Sequence, residues 1–278
     1  MRIGAIIAGE VILGRLIMST DNLTTTTQEL PPVTVLICTY DRYEMLLETI
    51  AKLRDHLEYP ADKLQWIVCD DHSPGKYRTN LAKEKVLADL NLEVITTPTN
   101  SGWAANVNNG LRAAQTDYIF FCEDDYFATA AIMLNGMTAL MEKNPKIGMV
   151  RARGIAGTHI VAHLNEADIS EYVPDWQDGS GVPGKIAYWQ IDQGSYTPYI
   201  YSNGPHLKHR RFHEYYGEYP TGLLLGETEE AFAHTVKDKM KENPIDSPAI
   251  TILPADVVMW FDHVGKSYQL SDADKRHE

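Results

Sequence analysis

Two rhythms of apolar and polar positions alternate along the first half of the chain. "VTVLICTY" (33–40) is a β-branched run that closes on polar residues, and "YEMLLETIAKLRDHL" (43–57) then carries apolar residues at helical spacing. "LQWIVCDD" (64–71) predicts a second buried strand, followed by the turn "HSPG". A helix is expected over 77–90, a short strand in "NLEVITTP", a helix over 102–115 and a strand in "DYIFFCED". Continuously apolar strands alternating with helices predict an α/β fold, with a mostly parallel sheet covered by helices on both faces. From 151 to 222 the pattern loosens into Gly-, Pro-, Tyr- and Trp-rich sequence with a few strands and no long helix. "GETEEAFAHTVKDKMKEN" (226–243) predicts a helix, and "AITILPADVVMWFDHVG" (249–265) two short strands and a turn. The tail from Ser271 is charged and expected to fray.

In parallel sheets ligands bind beyond the carboxyl ends of the strands. Polar residues collect there: Thr39, Tyr40 and Asp41 after the first strand, Asp70 and Asp71 after the second, Glu123, Asp124 and Asp125 after the fourth. Three adjacent carboxylates at the mouth of a core repel one another. A ligand that brings a cation and hydrogen-bond donors explains their convergence. Hard divalent cations take oxygen ligands and complete their shells with phosphate and water, so such a cluster can hold a metal that holds a diphosphate. A solvated acidic strand end is the plainer alternative.

Composition narrows the picture modestly. Hydrophobic residues make up 44% and charged residues 23% of 278, as in ordinary globular proteins. The net charge of −13 disfavours loose binding to nucleic acid or anionic lipid, although "HLKHRRFH" (206–213) reads as a local basic patch. Cys38, Cys69 and Cys122 lie in apolar runs without metal-ligand spacing, which predicts buried reduced thiols and a cytoplasmic protein. No apolar stretch reaches 18 residues. The N-terminal apolar run is broken by Glu10, so residues 1–17 are expected to be an upstream-start artefact or a loose extension, and 19–32 a disordered lead-in.

The motifs together resemble family 2 glycosyltransferases of the GT-A fold. The likeness rests on "VLICTYDR", on "WIVCDDHSPG", on "NSGWAANVNNG" with Asn100, Gly102, Asn108 and Gly110 in register, and on the DxD-like Glu123-Asp124-Asp125. It covers 33–130 well and 200–268 loosely. Two positions depart from the pattern: Glu123 stands for the first aspartate, and Val107 for a frequent arginine.

The resemblance implies one domain over 33–268, with 33–130 binding the nucleotide-sugar and 131–268 the acceptor, flanked by an extension (1–32) and a tail (269–278). It implies a metal-dependent, inverting enzyme that moves a sugar from a nucleoside-diphosphate sugar, UDP favoured, to a hydroxyl. Thr39 and Tyr40 would line the base, with Asp70 or Asp71 accepting a hydrogen bond from it. Both aspartates could instead cap the turn or helix beyond. Asn100, Gly102, Asn108, Glu123, Asp124 and Lys266 would bind the donor. Asp125, with Glu123 and His263, would hold Mn²⁺ or Mg²⁺. The base is expected at a helix start after a glycine, which ranks Glu227 first, then Glu229 and Glu230. Thr228 occupies the usual aspartate place, and acids there also complement a helix N-terminus. Asn203 and His206 could face substrate, and Arg210 and Arg211 could contact phosphate or an acidic acceptor, or stand as solvated basic side chains. The acceptor stays open among glycans, lipid-linked sugars, proteins, small molecules and modified DNA bases. Two other readings stand beside this one: a non-catalytic nucleotide-sugar- or glycan-binding module, and a sugar-1-phosphate nucleotidylyltransferase. The lack of glycine in "CTYDRYEM" counts against the second.

Overall fold

Four strands set the frame: β1 (Val33–Thr39), β2 (Leu64–Asp70), β3 (Leu92–Thr96) and β4 (Tyr118–Glu123). All seven β1 residues are buried, which suits its unbroken apolar run to the middle of a sheet. The computed structural model describes residues 29–75, 81, 84, 87–152, 169–172, 186–190, 201–252 and 260–265. These four strands are parallel in the order β3-β2-β1-β4. The register pairs Thr39 with Asp70 and Cys38 with Glu123, so the polar strand ends lie level along one edge.

Among the described residues the α-helices are α1 (Tyr43–His56), α2 (Trp103–Ala113), α3 (Leu134–Lys143), α4 (Arg211–Tyr216) and α5 (Leu225–Glu242). Alternation along β1 divides the core. Val33, Val35 and Ile37 pack with Leu46, Ile50 and Leu53 of α1 and with Leu134, Met137 and Leu140 of α3. Leu36 and Cys38 join Val107 of α2, Phe212 of α4 and Phe232 and Val236 of α5 on the other face. Helices on both faces match the expected fold.

Beyond β4 the chain adds further strands: β5 (Tyr126–Ala128), β6 (Ile147–Arg151), β7 (Ile169–Tyr172), β8 (Ile186–Gln190), β9 (His206–His209), β10 (Ala249–Ile252) and β11 (Phe261–His263). Among the described residues the main sheet has nine strands in the order β3-β2-β1-β4-β9-β6-β10-β8-β7, and β5 pairs antiparallel with β11. β9 inserts antiparallel between β4 and β6, so the two halves of the chain share one sheet.

That insertion corrects the basic patch. His206 and Lys208 are buried in a central strand. Lys208 Nζ lies 2.6 Å from Tyr219 Oη and 2.9 Å from His213 Nε2, ringed by aromatic side chains. Arg210 donates to the carbonyls of Ala114 and Thr116, and Arg211 to that of Ile147. These cations hold the fold together. The local pattern also left α3 and β6 unassigned. The helix expected over 77–90 lies mostly outside the described residues, as do residues 1–28 and 266–278.

Candidate active site

The turn after β1 and the turn after β2 are joined at their bases. Asp71 N–H donates to the Thr39 carbonyl, and Asp41 N–H to Ser73 Oγ at 2.8 Å. Asp41 and His72 both take positive φ, 53° and 64°, the tight reversal that aspartate tolerates better than most residues. A cleft lined by Thr39, Arg42, Tyr43, Asp70 and Ser73 opens between these turns. Tyr40 stands exposed at its edge.

Both aspartates of the second strand act as caps. Asp70 accepts from Ser73 N–H at 3.1 and 3.3 Å, closing the "HSPG" turn. Asp71 accepts from Thr97 Oγ1, Ser101 N–H and Gly102 N–H, each at 2.8 Å. Gly102, at φ 84°, precedes α2, and Asn100 Oδ1 also accepts from its N–H at 3.3 Å. Asp71 therefore fixes the entry to α2, whereas Asp70 lines the cleft. Asn108 is buried, and both of its amide groups bond the backbone of Tyr219, at 2.9 and 3.1 Å. The structure thus gives Asn108 a scaffold bond rather than an open donor-binding face.

The acidic run divides by direction. Glu123 turns towards α2 and accepts from Trp103 Nε1 at 2.9 Å. Burial, then the charges of Asp125, Asp124 and Glu229, push its carboxyl up to about 8. Asp124 accepts from Thr39 Oγ1 at 2.6 Å and from Arg42 Nη1 at 3.2 Å. Burial raises it to about 6, against the opposing pull of those two donors. Asp125 Oδ2 lies 2.8 Å from Arg42 Nη1 and 3.4 Å from His263 Nε2, while its Oδ1 is buried without a partner.

The β5–β11 ladder pairs His263 with Tyr126, and the imidazole stacks on that phenol ring at 4.6 Å. Val264 N–H donates to the Asp125 carbonyl. A Cβ on Gly265 would collide with the Asp125 carboxylate, so "HVG" brings backbone and imidazole against Asp125 as only glycine allows. Among the described residues no group of three or more His, Cys, Asp or Glu side chains is arranged to hold a metal ion. Asp125 and His263 offer two ligands. An orphaned buried oxygen beside an imidazole suits a cation that finishes its shell with phosphate and water. Glu123, expected as a third ligand, faces Trp103. Lys266 lies outside the described residues.

The three acids of the α5 start also part company. Glu227 is exposed, and its Oε2 accepts from the Leu224 N–H at 3.1 Å, capping the helix. Glu230 points outward beside His234, at 3.8 Å, with 77% of its side chain exposed. Glu229 turns inward. Its Oε1 accepts from Asn203 N–H at 2.8 Å, and its charge acts on Glu123. Several buried polar atoms in this half of the chain lack protein partners: both amide atoms of Asn203, whose N–H meets Glu229, with His206 Nε2 and Thr228 Oγ1. His206 Nδ1–H donates to the Gly204 carbonyl at 2.6 Å, and burial holds the imidazole neutral, leaving Nε2 as an acceptor.

Arg42 and Trp103 went unranked in the sequence. Arg42 stands inside "VLICTYDR" and Trp103 inside "NSGWAANVNNG". A cation and an indole donor within site-forming motifs are the signal that could have found them.

Comparison with known proteins bears on the family and the fold. The model of the family described as "Glycosyl transferase family 2" matches residues 34–192. A sequence search of curated proteins finds no match. Among solved structures, a mannosyltransferase from Pyrobaculum calidifontis, in complex with GDP-Man and Mn²⁺, aligns at TM-score 0.60 and 20% identity, covering 87% of this chain and 59% of that one. S. aureus TarS in complex with UDP-GlcNAc aligns at TM-score 0.57 and 17% identity, covering 85% of this chain and 61% of that one. GalNAc-T7 with UDP, GalNAc and Mn²⁺ aligns at TM-score 0.56 and 12% identity, covering 82% and 43%. The chain thus spans about three fifths of the length of the first two. At these identities the likeness establishes the GT-A fold.

Proposed function

Because the chain belongs to glycosyl transferase family 2, we propose that it is a metal-dependent, inverting glycosyltransferase that moves one sugar from a nucleoside-diphosphate sugar to an acceptor hydroxyl. The observation that carries this reading is the pairing of Asp125, with its orphaned Oδ1, and His263 on one side with the inward Glu229 on the other.

Thr39 and Asp70 bind the nucleotide base in the cleft between the β1 and β2 turns, with Tyr40 at its rim. Asp70 is preferred to Asp71, whose carboxylate already accepts three donors. Asp71, Asn100 and Gly102 shape the wall of that cleft. Asp125 and His263 hold Mn²⁺ or Mg²⁺, and Asp124 stands beside them. The bound cation supplies charge stabilisation to the departing diphosphate. Glu123, protonated at neutral pH before any cation arrives, offers a hydrogen bond to a sugar or ribose hydroxyl.

Glu229 is the general base. Asn203 N–H fixes one of its oxygens, and among the described residues the other has no bond and can take the acceptor proton. Glu227 is occupied as a cap. The neutral His206 and the Asn203 amide supply acceptors and donors for sugar hydroxyls. A UDP-sugar is the favoured donor. The GDP-Man and UDP-GlcNAc of the structural neighbours belong to those proteins and leave the nucleotide open. The acceptor is a hydroxyl of unassigned class.

Glu229→Gln tests the reading: donor binding is expected to survive while turnover falls by about 10²–10⁴, the usual worth of a general base. Full turnover in that variant would remove the assignment. A binding module without turnover is the second reading, favoured by Glu227 serving as a cap and by Thr228 standing in the aspartate place. Failure of the wild-type protein to hydrolyse or transfer any donor it binds would favour that reading.

A further inference from the structure

Arg42 meets the two aspartates in an uncommon way. Arginine usually meets a carboxylate with its fork, two nitrogens to two oxygens. Here one nitrogen, Nη1, sits between two carboxylates, 3.2 Å from Asp124 Oδ1 and 2.8 Å from Asp125 Oδ2. Among the described residues Nε and Nη2 make no bond to protein. Asp124 and Asp125 are 4% and 7% exposed, so an uncompensated pair of charges there would be costly. About a third of the Arg42 side chain, 35%, is open to solvent. It stands at the N-cap of α1, within reach of a cleft lined also by Thr39, Asp70 and Ser73.

We propose that Arg42 holds the position of the divalent cation in the ligand-free protein and is exchanged for it when the metal arrives with a diphosphate. This inference rests on the metal-dependent reading above. The guanidinium neutralises the aspartates as a point charge. When a divalent cation takes Asp125, Arg42 turns its unused donors to the phosphate, two of whose oxygens can accept the guanidinium's planar fork. No covalent bond is made or broken, and the exchange leaves a positive group beside each negative one. Two consequences follow. Metal alone binds weakly, because it must displace a bonded guanidinium that gains nothing in return. Metal with nucleoside diphosphate binds well, because the displaced guanidinium acquires a new partner. Arg42 therefore couples the two ligands.

The test is calorimetric titration of the full chain, wild type and Arg42→Met, with Mn²⁺ alone and with Mn²⁺ plus nucleoside diphosphate, together with thermal melts. Arg42→Met is expected to bind Mn²⁺ alone at least about fivefold more tightly than wild type and to bind the metal-diphosphate pair more weakly, a crossing of opposite signs. A merely structural role would weaken both. Arg42→Lys keeps a point charge but loses the spare donors. It is expected to resemble wild type towards Mn²⁺ alone and Arg42→Met towards the pair. It also serves as the readout should Arg42→Met melt unfolded. Unchanged or weaker Mn²⁺ binding in Arg42→Met, with its fold intact, overturns the proposal. Absence of any metal-dependent diphosphate binding by the wild type would instead contradict the function itself.

Discussion

Glu227 and Glu229, two residues apart, show how one helix turn separates a cap from the proposed base. The sequence ranks Glu227 first because it follows Gly226, and the structure places it in solvent on the Leu224 N–H. Glu227→Gln is accordingly expected to keep turnover within a few-fold of wild type and to lower the melting temperature slightly, by the ~1 kcal/mol that helix caps contribute. Steady-state rates and a thermal melt check both. Buried histidines give a second prediction at this scale. His213 Nε2 faces Lys208 Nζ at 2.9 Å, its Nδ1–H donates to the Gly217 carbonyl, and burial followed by the Lys208 charge holds its pKa well below 6.5. The unfolded chain therefore takes up a proton first as pH falls, so this imidazole removes stability below about pH 6.5, by up to ~1.4 kcal/mol per pH unit. Glu123 acts with the opposite sign between 4.5 and about 8, where its raised folded-state value favours the protonated native form. Going from pH 7.5 to 5.5 is therefore expected to lower the melting temperature less, or to raise it more, in His213→Gln than in the wild type. Identical pH dependence of the two proteins would refute this.

At the scale of elements, close approach explains two glycines. A Cβ on Gly110 would collide with Cys69 Sγ and Leu36 Cδ1, so α2 lies against β1 and β2 nearer than alanine permits. Gly110→Ala is expected to cost about 1–3 kcal/mol by overpacking, a fall of several degrees in melting temperature. Gly265→Ala would instead push the β11 end from Asp125 and is expected to weaken Mn²⁺-dependent diphosphate binding more than it lowers the melting temperature. The first half of the molecule was legible because its strands are unbroken apolar runs and its helices have clear apolar faces. What local pattern cannot carry is non-local pairing. "HLKH" has surface chemistry, yet β9 lies between β4 and β6, where Lys208 is satisfied by Tyr219 and His213. The fate of each acid was equally hidden. Asp71, Glu123 and Glu229 are distinguished by which way a turn or helix face points, and charge alone does not say.

For the whole molecule, the level register of β1, β2 and β4 gathers polar side chains from three strand ends, while the β5–β11 ladder brings His263 against Asp125. Cys38, Cys69 and Cys122 are free and buried, as their apolar surroundings implied. Among the described residues no helix is long and apolar enough to cross a membrane. The central claim is that Asp125 and His263 hold a divalent cation that holds a nucleoside diphosphate. Calorimetric titration of the wild type and Asp125→Asn with UDP, GDP, CDP and dTDP, with and without Mn²⁺, tests it most directly. The account predicts that the wild type binds one diphosphate tightly only with metal present, and that Asp125→Asn loses this metal-dependent part. Equal binding with and without Mn²⁺, or an unaffected Asp125→Asn, would contradict it.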